Sequence, residues 1–124
     1  MDDTYDSQAI GRYINELLVL AALRIAPMHG YQIALEIEER SDGYFQFRHG
    51  TLYPILHRLE KEGLIAGDWS DPGEGRPRKQ YGLTEAGRGY LAETVHRWRV
   101  LAAQLQPFLV LDGSADEQVR TGAA

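Results

Sequence analysis

His49-Gly50-Thr51-Leu52-Tyr53-Pro54-Ile55-Leu56-His57-Arg58-Leu59-Glu60-Lys61-Glu62-Gly63-Leu64-Ile65 is the stretch whose reading decides the fold. Leu52, Ile55, Leu56 and Leu59 recur at the three- and four-residue steps of an amphipathic helix, and Tyr53, His57, Arg58 and Lys61 take the other side. One face is core and the other is free to touch something. Gly63 offers a helix stop. The apolar period then drops to two over residues 65–70 and 78–83, two strand-like runs joined by the Gly-, Pro- and Arg-rich segment 71–77. Pro54 lacks an N–H and is tolerated most easily in a first helical turn, so Thr51 as N-cap is one start. A start near His49 is the other, at the expense of a backbone hydrogen bond around Gly50. A short helix followed by a basic hairpin points to a winged helix.

Working outward, the spacing predicts a second helix over about 31–40 with Tyr31, Ala34 and Ile37 inward. It is bounded by the turn Pro27-Met28-His29-Gly30 and the break Ser41-Asp42-Gly43. Tyr44-Phe45-Gln46-Phe47 reads as a small strand. A first helix runs from about Gln8 to Ala26, with Ile14, Leu17, Leu18, Ala21 and Ile25 on one stripe and Leu20 and Leu23 broadening it. Thr84 is a good N-cap for a long last helix reaching about Pro107 or Leu109. Along that helix Leu91, Val95, Trp98, Ala102, Leu105 and Leu109 follow each other by four and three residues, the period of a helix packing along another. Leu91, Val95, Trp98, Leu105 and Leu109 are therefore expected to dimerise the chain, and covering the chain's own first helix is the alternative. The expected fold class is mainly α with a small β-hairpin: a winged helix-turn-helix plus a long C-terminal dimerisation helix. Residues 1–8 read as a flexible lead, 9–83 as the winged domain, 84–110 as the dimerisation helix and 111–124 as a disordered tail.

Composition narrows the function classes. With 124 residues one domain is the simplest organisation. No apolar run reaches the roughly 18 residues of a membrane span, and Asp2 and Asp3 follow Met1 where a secretory signal carries positive charge, so a cytoplasmic protein without membrane contact is expected. The absence of cysteine excludes disulfides, a thiolate nucleophile and Cys-ligated zinc. The net charge of −5 argues against bulk electrostatic binding to nucleic acid. The sign is uneven, however: residues 44–81 hold six Lys or Arg against five acids, and the rest holds seven against thirteen. Any nucleic-acid face is local to this segment.

Four linked motifs then carry a resemblance. Pro27-Met28-His29-Gly30-Tyr31, Gly50-Thr51-Leu52-Tyr53-Pro54-Ile55-Leu56, Arg58-Leu59-Glu60-Lys61-Glu62-Gly63-Leu64-Ile65 and Leu83-Thr84-Glu85-Ala86-Gly87 resemble the PadR family of bacterial transcriptional regulators in order and spacing. The single long C-terminal helix is similar to the short branch of that family. Gln80 stands where many members carry a second aromatic, and Arg48-His49 stands where Ser-Pro or a similar helix start is common. The resemblance implies a homodimeric, effector-responsive repressor on a pseudo-palindromic operator in double-stranded DNA. The alternative is a winged-helix protein-protein adaptor without DNA binding.

In the DNA reading the third helix enters the major groove, its roughly 13 residues spanning about 20 Å. Arg48, His49, Gly50, Thr51, Tyr53 and His57 stand at its N-terminal half, with Arg58 and Lys61 placed for phosphate. Thr51 also reads as a cap, Tyr53 as packing on the second helix, and Arg58 as an ion pair with Glu62. Arg76, Arg78 and Lys79 in the wing are candidates for phosphate or minor-groove contact. Trp98, with Leu17, Ala21, Val95 and Ala102, is a candidate wall for a small aromatic or cationic effector, or ordinary core. His29, His49, His57 and His96 lack paired ligand spacing, so no metal and no cofactor are expected. No nucleophile motif or phosphate loop is present, and an enzyme is not expected.

Overall fold

A computed structural model describes residues 7–69 and 77–111. The elements in order are α1 (Ser7–Ile25), β1 (Met28–His29), α2 (Gly30–Arg40), α3 (His49–Lys61), β2 (Ile65–Trp69), β3 (Lys79–Leu83) and α4 (Glu85–Leu105), followed by a short 3-10 turn (Gln106–Phe108). The proposed lead is described only from Ser7, and the proposed tail beyond Leu111 lies outside the described residues. The chain divides into two compact units, Met1–Ala92 and Glu93–Ala124. The first turns of α4 group with the winged part. Among the described residues no helix is long and apolar enough to cross a membrane.

Helix α3 is amphipathic as its spacing predicts: Leu52, Ile55, Leu56 and Leu59 are buried. They meet Val19, Leu20, Ala22 and Leu23 of α1, Ile33 and Ile37 of α2, Ile65, Tyr81 and Leu91 in one apolar core. Gly63 ends α3 at φ +81, a conformation that favours glycine, with the Leu64 N–H donating to the Leu59 carbonyl at 3.0 Å. The chain thereby turns directly into β2.

Two expectations are corrected. The sheet has a third strand, but it is not residues 44–47. The order is β1-β3-β2, all antiparallel, with Met28 opposite Tyr81 and Ile65 opposite Leu83. Residues 44 and 45 continue the bend after α2, and residues 46 and 47 are irregular. The Tyr44 N–H donates to the Ser41 carbonyl at 3.0 Å and the Phe45 N–H donates to Ser41 Oγ at 2.9 Å, so neither is left for a ladder. Pro27 stops α1 and releases Met28-His29 in extended form beside the open edge of β3.

The second correction concerns which sides face inward. Tyr31 is 67% exposed, and Ile33 takes its place in the core. On α1 the deepest positions are Val19, Leu20, Ala22 and Leu23, while Ile25 is exposed and Ile14, Leu17, Leu18 and Ala21 are half-buried. A helix apolar on two sides does not reveal from its own sequence which side the core takes.

Of the two starts open for α3, the one at His49 is found, with Arg48 as the N-cap residue. Pro54 thus sits well inside the helix and leaves the Gly50 carbonyl without its i+4 N–H donor. Thr84 caps α4, its Oγ1 accepting from the Gly87 N–H at 2.9 Å and donating to the Gly63 carbonyl at 2.7 Å. One side chain thereby joins the end of α3 to the start of α4.

Candidate nucleic-acid interface

At about 100° per residue, Gly50, Pro54, His57 and Lys61 run down the middle of the side of α3 opposite its buried stripe. Thr51, Arg58 and Glu62 form one flank, and Tyr53 and Glu60 form the other. His49, Gly50, Thr51, Tyr53, His57 and Lys61 are all exposed, as is Arg48 before them. Thr51 does not act as the cap, since its N–H donates to the Arg48 carbonyl at 3.0 Å and its side chain stands in the first turn.

Tyr53 does two things at once. It is 41% exposed, yet its ring edge lies so close over Gly30 of α2 that a Cβ there would collide with the phenol oxygen and ring. Its ring also stacks on His49, with centroids 5.6 Å apart and planes 5° from parallel. Glycine at the α2 N-terminus therefore lets the two helices of the helix-turn-helix approach closely, and the result is a flat aromatic pair at the leading end of α3. Beside it a cleft of about 180 Å³ between α2 and α3 is lined by Tyr31, Leu35, Glu38, Phe47 and His49 among others.

The flank with Glu60 meets the wing. Lys79 Nζ donates to Glu60 Oε1 at 2.9 Å, and the Gly67 N–H donates to Glu60 Oε2 at 3.2 Å, so one carboxylate from α3 holds β2 and β3 together. Lys79 Nζ also stands 5.7 Å from the ring centroid of Trp69 and 5.5 Å from that of Tyr81. These contacts engage the Lys79 charge within the chain, so it is not a free cation for phosphate. The Lys79 hydrogen bond is the main reason the Glu60 carboxyl is held below its ordinary 4.5, and the same bond raises the Lys79 ammonium above its own usual value. Burial, first of all, raises the Tyr81 hydroxyl.

The sign for stability follows from these directions. The Glu60 half contributes above the ordinary carboxylate range and is lost as pH falls through the lowered value; the Lys79 half fades only in strong base. Lys79→Met is expected to destabilise the protein by about 1 kcal/mol at neutral pH. In a series of thermal melts its difference from wild type should close only below about pH 4.5; a difference that shrinks between pH 6 and 8 would assign it to another group.

Of the other wing positions, Arg78 is exposed and Arg76 lies outside the described residues. Arg58 is half-buried and faces two carboxylates, Glu62 at 3.9 Å and Glu16 of α1 at 3.8 Å. Two features escaped the reading of the sequence. Trp69 is 66% exposed at the end of β2, and only its cross-strand register with Lys79 shows that it belongs to this surface. Glu16 is buried, and its signal was visible as a lone acid entering the apolar run Leu17-Leu18-Val19-Leu20.

The positions expected to dimerise or bind an effector are spread over both units. Leu91 is corrected: at 4% exposure it belongs to the core of the first unit and is out of reach of a second copy. Leu17 and Ala21 on α1 are half-buried in that unit, and in the second unit Val95 and Trp98 are half-buried while Ala102, Leu105 and Leu109 are exposed.

The sequence profile of the transcriptional regulator PadR-like family matches residues 19–93. The chain belongs to that family. The PadR-like match takes in α2, α3, the wing strands and the first turns of α4, so the surface just described lies within it. Transcriptional regulator Rv3488 of Mycobacterium tuberculosis is 35% identical over 78 residues, 63% of this chain and 69% of that protein. A transcriptional regulator from Clostridium thermocellum superposes with a TM-score of 0.73 at 25% identity, over 85% of this chain and 98% of that one. Negative transcriptional regulator PadR of Bacillus subtilis is 28% identical over 82 residues, 66% of this chain and 43% of that protein. Its structure in complex with operator DNA superposes with a TM-score of 0.61 at 27% identity, over 66% of this chain and 47% of that chain. Winged-helix architecture and membership of a family of transcriptional regulators are thus common ground with these proteins.

Proposed function

We propose that this PadR-like chain is a sequence-specific DNA-binding repressor that acts as a homodimer on a pseudo-palindromic operator and releases it in response to an effector. The observation that carries the reading is α3 itself. Its buried stripe fixes it in the core, while His49, Gly50, Thr51, Tyr53, His57 and Lys61 stand exposed along one side, as a helix that reads the major groove requires. The complex of the Bacillus subtilis relative with operator DNA supports the ligand, and that relative's description as a negative regulator supports repression.

In this reading the His49–Tyr53 pair and His57 meet base edges or sugar, Lys61, Arg76 and Arg78 take phosphate, and Arg58 and Lys79 act inside the protein. Dimerisation is supported by the second unit, where among the described residues from Glu93 onward none is buried, and Leu105, Phe108 and Leu109 are 44%, 82% and 62% exposed. The effector is proposed to bind around Trp98 with Val95 and Ala102, all in the second unit. Footprinting the purified protein on the DNA upstream of its own gene tests the reading. Two protected patches about 34 Å apart, one helical turn, are the expected result. Unprotected, uniform digestion at every protein concentration would argue for the protein-binding alternative.

A further inference from the structure

Glu16 is a charged side chain inside the core, 7% exposed, and the DNA reading makes no use of it. Its Oε1 accepts a hydrogen bond from Tyr90 Oη of α4 at 2.9 Å, and its Oε2 lies 3.8 Å from Nη2 of Arg58 on α3. A carboxylate this deep is retained only where partners offset its lost hydration, and here the two partners come from two different helices. The second carboxylate near Arg58, Glu62, is half in solvent and 3.9 Å from Nε, so Glu16 is the better-shielded of the two.

We propose that Glu16 is a positioning residue for the reading helix. It draws the Arg58 guanidinium towards α1 and away from the DNA backbone, and through Tyr90 it pins α3 to the first turns of α4. The proposal rests on the DNA-binding reading above for its consequence, though not for the strut itself. Arg58 lies on the flank of α3 next to the face that carries His57 and Lys61. When substitution removes the Glu16 charge, the freed guanidinium adds one phosphate contact.

The test uses full-length protein and a mixed-sequence DNA duplex, whose binding reports backbone contacts alone. Glu16→Gln keeps an acceptor for Tyr90 and removes the charge facing Arg58. It should steepen the fall of log affinity with log salt by about one phosphate contact. Arg58→Met in the Glu16→Gln background should restore the wild-type slope, while Arg58→Met alone and Glu62→Gln should leave it unchanged. Independently of DNA, the losses of melting temperature for Glu16→Gln and Arg58→Met should fall short of adding in the double variant. Additive losses would refute the strut whether or not DNA binds. An unchanged slope in folded Glu16→Gln protein would refute the positioning role. Non-additive losses in a protein that binds no duplex would remove the DNA reading and keep the strut.

Discussion

Gly87→Ala is expected to lower the unfolding free energy by about 3 kcal/mol, the upper end of the usual cost of overpacking. Gly87 is buried in the first turn of α4, and a Cβ built on it would run into the carbonyl oxygen of Leu64, with the carbonyl carbon at 3.0 Å. This obstacle is backbone and cannot rotate aside. The same carbonyl accepts the Thr84 N–H at 3.1 Å, and the Gly87 N–H is itself spent on Thr84 Oγ1, so relieving the clash means sliding α4 off the start of β2. Alanine's better helix propensity returns about 1 kcal/mol at most and does not change the sign. Denaturant unfolding with far-ultraviolet circular dichroism measures it; a variant within about 0.5 kcal/mol of wild type would show that the helix does not approach Leu64 this closely. Gly89, two residues on, has nothing within 4 Å of a Cβ and serves as the control.

The largest functional effect is expected from Leu105→Asp. Leu105 is 44% exposed at the end of α4, so a carboxylate there leaves the core of the chain untouched. In an apolar interface between two copies, by contrast, each copy would place an unpaired charge where water is excluded. With the proposed dimer, sedimentation equilibrium at micromolar concentration should find two copies for the wild type and one for the variant. Operator affinity should drop by roughly 10² or more, because a second half-site is then no longer bound intramolecularly. An unchanged dimer would move the interface to other residues, and a monomer with full affinity would mean that one copy suffices.

Much of this molecule was legible from spacing. The apolar steps of α3, the break at Gly63, the alternation of the two wing strands and Thr84 before α4 are short-range patterns, and local backbone geometry answers them directly. The misreadings fall where a local pattern admits two outcomes. Tyr44–Phe47 has the composition of a strand, and Met28-His29 has almost none; pairing went to the segment lying beside an open edge, while Ser41 took the N–H groups of the other. Tyr31 fits an inward helical position by period, and Ile33 displaced it because the side of α2 that meets the core is chosen by α1 and α3 together.

The candidate interface divides in the same way. That α3 offers His49, Tyr53, His57 and Lys61 to the outside follows from its own periodicity and was determined by the sequence alone. Which of its charges remain available was decided only by the tertiary structure. Arg58 and Lys79 are as basic in sequence as Lys61, but Glu16 reaches one from α1 and Glu60 reaches the other from α3. Charge is a property of a residue, whereas its neutralisation depends on a partner within a few ångströms, and the folding of distant segments onto one core supplies that partner.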